Sequence, residues 1–175
     1  MTREELEFCI RRYGSDIFSF CSYLAGNAED RDDLYQDTFL LALQKREQID
    51  PHQNVKSYLL SLSIGIWKNM CRKRKFRQMF LLHPAADDEQ PIQIPDPKTD
   101  IEASCIEEEE IAFLREQISS LPDKYRIPVC LFYLEEMPQE EIARCMKLPV
   151  GTVKSRLNKA RKILKERMEA AGYDR

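Results

Sequence analysis

From residue 152 to residue 168 the chain spells a helix with two opposed faces, one apolar and one almost wholly basic. Val153, Leu157, Ala160, Leu164 and Met168 recur at steps of four and three, and Lys154, Arg156, Lys159, Arg161, Lys162, Lys165 and Arg167 fill most of the positions between them. Upstream, Gln139 to Met146 carries Ile142, Ala143 and Met146 at spacings that share a face, and Lys147-Leu-Pro-Val-Gly151 interrupts the periodicity. Helix, break and basic helix together spell a helix-turn-helix. A second helix of this composition can lay its first turn in a DNA major groove, where Thr, Ser, Arg and Lys side chains reach base edges and phosphates. Basic amphipathic helices also serve as solvated faces or as targets for acidic partners, and periodicity alone does not separate these uses.

Net charge conceals strong segregation. The 175 residues sum to only −3, yet residues 1–50 carry eleven acids against six bases, and residues 51–82 carry seven bases and no acid. Residues 83–110 then carry ten acids against Lys98 alone, and residues 144–167 are basic nine to one. Two positive patches are therefore separated by an acidic connector, so the near-neutral total does not exclude a polyanionic partner.

Helical periodicity extends over nearly the whole chain. Leu6, Ile10, Tyr13, Ile17, Cys21 and Leu24 mark a first helix ending near Gly26, and Asn27 is placed to cap a second over about 29–45. That helix sets Leu34, Thr38, Leu41 and Ala42 on one face and Asp30, Asp33 and Asp37 on another. A third, capped at Asp50-Pro51 or at Asn54, carries the stripe Val55, Tyr58, Leu59, Leu62, Ile66 and Met70 before the run Cys-Arg-Lys-Arg-Lys-Phe-Arg of 71–77. Four of the nine prolines fall in 83–100, where large apolar groups are scarce, which predicts an extended linker. The chain reads as all-α, with two small helical domains, 1–80 and 108–175, joined by an acidic, proline-containing linker at 81–107. Pro128 predicts a late start or a kink in the helix over 125–134, and Pro138 predicts a helix start without a side-chain cap.

Catalytic and metal chemistry find little support. Six cysteines are scattered without a C-x-x-C pair, and His52 and His83 are the only histidines, so metal-ligand spacing is absent and no cofactor is expected. A nuclease using Asp30, Asp33 and Asp37 lacks any second ligand group to complete a metal site. No run approaches eighteen apolar residues and no secretory leader is evident, so a cytoplasmic protein without membrane insertion is expected.

Three motifs, in order, carry a resemblance that covers nearly the whole chain. They are Ala28-Glu-Asp-Arg-Asp-Asp-Leu-Tyr-Gln-Asp-Thr-Phe39; Tyr58-Leu59 leading through Trp67-Lys-Asn69 into the basic run; and Leu121-Pro with Gly151-Thr-Val-Lys-Ser-Arg-Leu157 and Ala160-Arg161. The chain resembles the extracytoplasmic-function sigma factors of bacterial RNA polymerase. The resemblance implies a non-enzymatic initiation factor whose partners are core RNA polymerase, promoter DNA and an anti-sigma factor. It assigns Asp33, Leu34, Gln36, Asp37 and Phe39 to polymerase docking. Trp67, Lys68, Asn69, Arg72, Lys73 and Arg74 fall to the minus-10 element and the separated strand, and Thr152, Lys154, Ser155, Arg156, Lys159 and Lys162 to the minus-35 element. Arg156 is the first choice for a base-edge contact, and Lys159 and Lys162 suit phosphates. By residue type alone, Leu34 reads first as a core residue and the acids as a solvated face, whereas Trp67 is equally a core anchor and a stacking platform. Where many members carry Ala-Arg-Asn, this chain has Ser63-Ile-Gly65, which removes a side chain from the minus-10 surface. A stand-alone helix-turn-helix regulator is the competing reading; it would bind duplex DNA without polymerase.

The linker composition generates a direct expectation. Limited proteolysis should cut first between residues 83 and 107, and first cleavage inside 6–77 would contradict the two-domain reading.

Overall fold

A computed structural model describes residues 1–50, 53–80 and 105–173. Seven α-helices account for most of these residues: α1 (Arg3–Leu24), α2 (Ala28–Gln44), α3 (Val55–Phe80), α4 (Cys105–Ser119), α5 (Asp123–Tyr133), α6 (Gln139–Met146) and α7 (Val150–Ala170). They fall into two compact units, α1 to α3 and α4 to α7, with the short stretch Arg144–Lys147 grouped with the first. The expected linker lies outside the described residues, apart from the start of α4.

Capping fixes the first unit's helix starts. Thr2 and Glu5 form a reciprocal capping box: the Glu5 amide donates to the Thr2 hydroxyl at 3.2 Å and the Thr2 amide to the Glu5 carboxylate at 2.7 Å. Asn27 accepts from the Asp30 amide at 2.8 Å, and Asn54 accepts from the Ser57 amide at 3.1 Å. Of the two cap positions open in sequence for α3, Asn54 is the one used.

Each of the three helices packs on the other two. Leu6, Ile17, Phe20, Leu24, Leu34, Ala42, Leu59, Leu60 and Ile64 are fully buried between them. The buried face of α3 differs from the single expected stripe. Leu60, Ile64 and Trp67 are interior, whereas Tyr58, Leu62, Ile66 and Met70 are half-buried. A helix wedged against two partners buries a wider band than one stripe describes. Among the buried side chains of this unit are three short polar ones that meet, Cys21, Thr38 and Ser63. The Thr38 and Ser63 hydroxyls lie 3.1 Å apart, each reaches the carbonyl one turn back (Leu34 and Leu59), and the Cys21 thiol bonds Ser63.

In the second unit α7 packs on α5 and α4. Leu121, Ile127, Val129, Cys130, Leu131, Ile142, Val153, Leu157 and Ala160 form its core. Pro128 neither delays nor terminates α5, which starts at Asp123 and runs through it. Its ring removes only the bond back to Lys124 in the first turn, and its side chain is buried in exchange. At the start of α6 the amides of Glu141 and Ile142 donate to the Pro138 carbonyl at 2.9 and 3.0 Å. The last helix begins two residues before the expected Thr152, at Val150 behind Pro149.

Two non-glycine residues stand in the left-handed region, Glu136 (φ 51°) and Lys147 (φ 55°). Lys147 ends α6 in the Schellman manner, its own amide bonding Arg144 O at 3.2 Å and the Leu148 amide bonding Ala143 O at 2.9 Å; beyond α5, where Glu136 stands, the Met137 amide bonds Leu131 O at 3.0 Å. Lys147 thereby sets the turn between α6 and α7.

Two glycines lie inside helices with opposite surroundings. A methyl group on Gly65 would meet nothing within 4 Å, whereas one on Gly14 would lie 3.1 Å from the Tyr35 hydroxyl. Gly65→Ala should raise unfolding free energy in urea by about 1 kcal/mol, and Gly14→Ala should yield clearly less. Equal gains would remove the close α1–α2 approach at Gly14.

Burial pushes the Cys21 and Cys130 thiols up to about 12 from 9.0. Their neutral forms are favoured by folding, so the stability they confer is complete below pH 9 and is lost as pH rises from 9 toward 12. Unfolding free energy should fall by up to about 1.4 kcal/mol per pH unit per thiol over that window. Cys130→Ala should flatten its share, and a profile unchanged by that substitution would contradict the assignment.

Candidate nucleic-acid and partner-binding surfaces

The packing of α2 against α1 and α3 divides its residues sharply. Asp33, Gln36 and Asp37 are exposed on one face, Phe39 is half-buried beside them, and Leu34 is fully buried on the other. Leu34 is thus a core residue that orients the acidic face rather than part of it. Leu40, 55% exposed, follows Gln36 and Asp37 at four and three residues and gives that face an apolar end. Residue type hid Leu40 in the sequence, because a leucine beside Phe39 and Leu41 reads as core. Phe18, Tyr35 and Phe39 stack edge to face with centroids 5.5 and 5.0 Å apart, and the Arg31 guanidinium lies 4.6 Å from the Phe18 ring. This ladder stiffens the flank of the acidic face.

Asp30 is separated from the other two acids. It pairs with Arg74 at 2.6 Å and accepts from the Asn27 side chain at 2.9 Å, linking the start of α2 to the distal half of α3. Among the described residues no group of His, Cys, Asp and Glu could hold a metal ion.

Beyond its packed half, α3 projects a basic surface. Lys68, Asn69, Arg72, Lys73 and Arg74 are exposed, and Arg72 donates to the Asn69 side-chain oxygen Oδ1 at 3.1 Å. Trp67 is 4% exposed, so its ring anchors α3 in the core instead of offering a stacking face. Gly65 is exposed one turn before Lys68 and Asn69, leaving bare backbone at the head of the same face.

On α7 the exposed stripe is Lys154, Ser155, Asn158, Lys159 and Lys162, opposite Val153, Leu157 and Ala160. Thr152 and Arg156 are half-buried on its flank. Each residue turns a helix by about 100°, and that single step from Ser155 carries Arg156 toward the packed edge. Asn158 occupies the centre of the stripe. Its type, neither basic nor apolar, drew no attention in sequence. Two further cations are structural: Arg161 donates to the Tyr133 hydroxyl at 2.6 Å, and Arg167 donates to the Ser120 hydroxyl at 2.6 Å. Lys162 pairs only loosely with Glu166, at 3.8 Å, with both side chains mostly exposed.

Residues 9–77 match the family model of sigma-70 region 2, and residues 114–164 match that of sigma-70 region 4. Among curated proteins, the chain is 26% identical over 159 residues to the ECF RNA polymerase sigma factor SigW of Bacillus subtilis, covering 89% of this chain and 84% of that protein. It is 28% identical over 171 residues to SigM of the same organism, covering 94% of each. Among solved structures, the sigma factor RpoE in complex with the anti-sigma factor NepR from Bartonella quintana is similar with a TM-score of 0.77 and 20% identity, over 97% of this chain and 98% of that one. CnrH in complex with the cytosolic domain of CnrY gives a TM-score of 0.67 at 18% identity, over 97% and 90%.

The Asp30–Arg74 pair joins two helices through partly exposed groups, so its contribution is modest. Asp30→Asn should lower the thermal stability of the first unit by about 0.5–1 kcal/mol and increase hydrogen exchange in the last turns of α3. Unchanged exchange there would show that the pair does not hold the basic segment.

Proposed function

The chain belongs to the extracytoplasmic-function sigma factors of the sigma-70 family, and on that premise we propose that its exposed helix faces divide the steps of initiation among them. As a sigma factor it binds core RNA polymerase and directs transcription initiation at promoters; it is not an enzyme, and the polymerase supplies the chemistry. No described helix is long and apolar enough to cross a membrane. Action on polymerase supports a cytoplasmic location.

The face of α2 formed by Asp33, Gln36, Asp37 and Leu40, flanked by Phe39, docks on core polymerase. Carboxylates around an apolar end suit a basic, amphipathic partner helix, giving speed and specificity of association. The exposed residues of α3, Lys68, Asn69, Arg72 and Lys73, hold the minus-10 strand once it is unpaired, with Arg74 braced by Asp30. The stripe on α7 enters the minus-35 major groove: Lys154, Ser155 and Asn158 face base edges, Lys159 and Lys162 meet phosphates, and Thr152 and Arg156 reach the groove wall. An anti-sigma protein regulates the factor by covering one or more of these faces. The observation that carries the reading is the pairing, in one chain, of an acidic docking face with two basic faces, each exposed opposite its own core.

In transcription with purified core polymerase, Asp33→Lys with Asp37→Lys should abolish co-purification with core while the thermal transition stays within about 0.5 kcal/mol, because both sites are exposed. Unchanged affinity in the folded double variant would remove the docking face. Ser155→Ala and Asn158→Ala should each cost roughly 1–3 kcal/mol at the preferred promoter and flatten discrimination among minus-35 variants. Arg156→Ala should weaken binding evenly across those variants. A sequence-selective defect at Arg156 with none at Asn158 would reverse the assignment.

A further inference from the structure

Asn158, at the centre of the α7 stripe, has one arm of its amide already engaged. Its oxygen Oδ1 accepts from Arg161 Nη1 at 3.5 Å, three residues along the same helix. A guanidinium carries donors alone, so the amide oxygen and not the NH2 group faces it. Arg161 is itself held from α5. Its Nε donates to the Tyr133 hydroxyl at 2.6 Å, and its guanidinium carbon lies 5.7 and 5.8 Å from the Phe132 and Tyr133 ring centroids. Those two rings meet edge to face with centroids 5.0 Å apart. Tyr133 is 50% exposed, so burial alone does not account for an aromatic ring at that position.

We propose that Tyr133 and Arg161 are positioning residues that present Asn158 to duplex DNA as a hydrogen-bond donor, so that the base it reads is one with an acceptor edge. An unrestrained asparagine reads adenine with both arms of its amide, the oxygen taking the N6 amino group and the NH2 group giving to N7. Here the oxygen is turned to Arg161, and the NH2 group is the arm left for the groove. A donor suits guanine, whose O6 and N7 both accept, or thymine, whose O4 accepts. It gains nothing from the cytosine amino group, and at adenine it meets N7 while the N6 amino group goes unmatched. The phase of α7 supports the arrangement: Ala160, fully buried, precedes Arg161 and turns it to the edge that meets α5. The inference rests on the assignment of α7 to the minus-35 element and names the base edges that Asn158 selects there.

The test uses core polymerase carrying the full chain and measures its binding to promoter DNA. Single abasic sites, introduced strand by strand across the minus-35 element, locate the base that Asn158 touches, as the one whose loss weakens the wild type and not Asn158→Ala. With each of the four bases placed there in turn, the wild type should prefer guanine or thymine to adenine and cytosine by about fivefold or more. Tyr133→Phe removes only the hydroxyl, and Arg161→Lys keeps the charge without the planar fork. Each should move the preference at that base toward adenine and leave the rankings at other positions as they were. A merely structural loss would weaken all promoters evenly and move no ranking. Thermal melting checks that the variants fold, as exposure of both side chains predicts. A wild-type preference for adenine or cytosine, or rankings unmoved in both variants, would overturn the positioning role and leave α7 on the minus-35 element. If no base answers to Asn158, the inference falls together with the placing of Asn158 at base edges, and if the wild type fails to initiate with core polymerase, the sigma assignment falls with both.

Discussion

The first unit depends on a buried hydrogen-bonded junction of Cys21, Thr38 and Ser63, one from each of its three helices. Short side chains let α1, α2 and α3 meet, and each hydroxyl is satisfied by a neighbour and by its own helix, so nothing polar is left stranded in the interior. A larger residue at any of the three would push the helices apart. Because the apolar faces close inward around this junction, the acidic face of α2 and the basic face of α3 are left outward, and Asp30–Arg74 ties one to the other. Function in this unit is the remainder of its packing.

The second unit solves a different problem, that of holding a heavily basic helix to a small core. Val153, Leu157 and Ala160 provide the apolar contact, and two cations, Arg161 and Arg167, are turned back onto Tyr133 and Ser120. These anchors leave Lys154, Ser155, Asn158, Lys159 and Lys162 to solvent. Lys147, in the left-handed conformation, sets the turn that delivers α7 from α6. Glycine would meet that backbone requirement with less strain.

Sequence periodicity made the helices and the acidic and basic segments legible, because both are properties of spacing and composition. Asn27 was legible as a cap for the same reason, and α6 was bounded to the residue. Residue type left a core role open for Leu34 and Trp67, and burial settles it where a helix has a second partner. Leu34 and Trp67 lie within the motifs that mark functional segments, yet both are interior, since α2 and α3 each pack on two helices. Arg156 looked the strongest base reader by chemistry, but the helix phase set by Val153, Leu157 and Ala160 turns it toward the packed edge and brings Asn158 to the centre. Leu40 escaped notice because an apolar residue in a helix is ordinarily core, and only the folded chain reveals which ones are left outside.

The central claim is that strand holding belongs to α3 and duplex reading to α7, and premelted templates test it most directly. Polymerase carrying Asn69→Ala and Arg72→Ala should initiate poorly on duplex promoter, with loss of permanganate-reactive thymines, and should recover most activity when the minus-10 region is premelted. Polymerase carrying Asn158→Ala should show no comparable rescue. Equal defects of the α3 variants on both templates, or ordinary thymine reactivity in the duplex, would contradict the account.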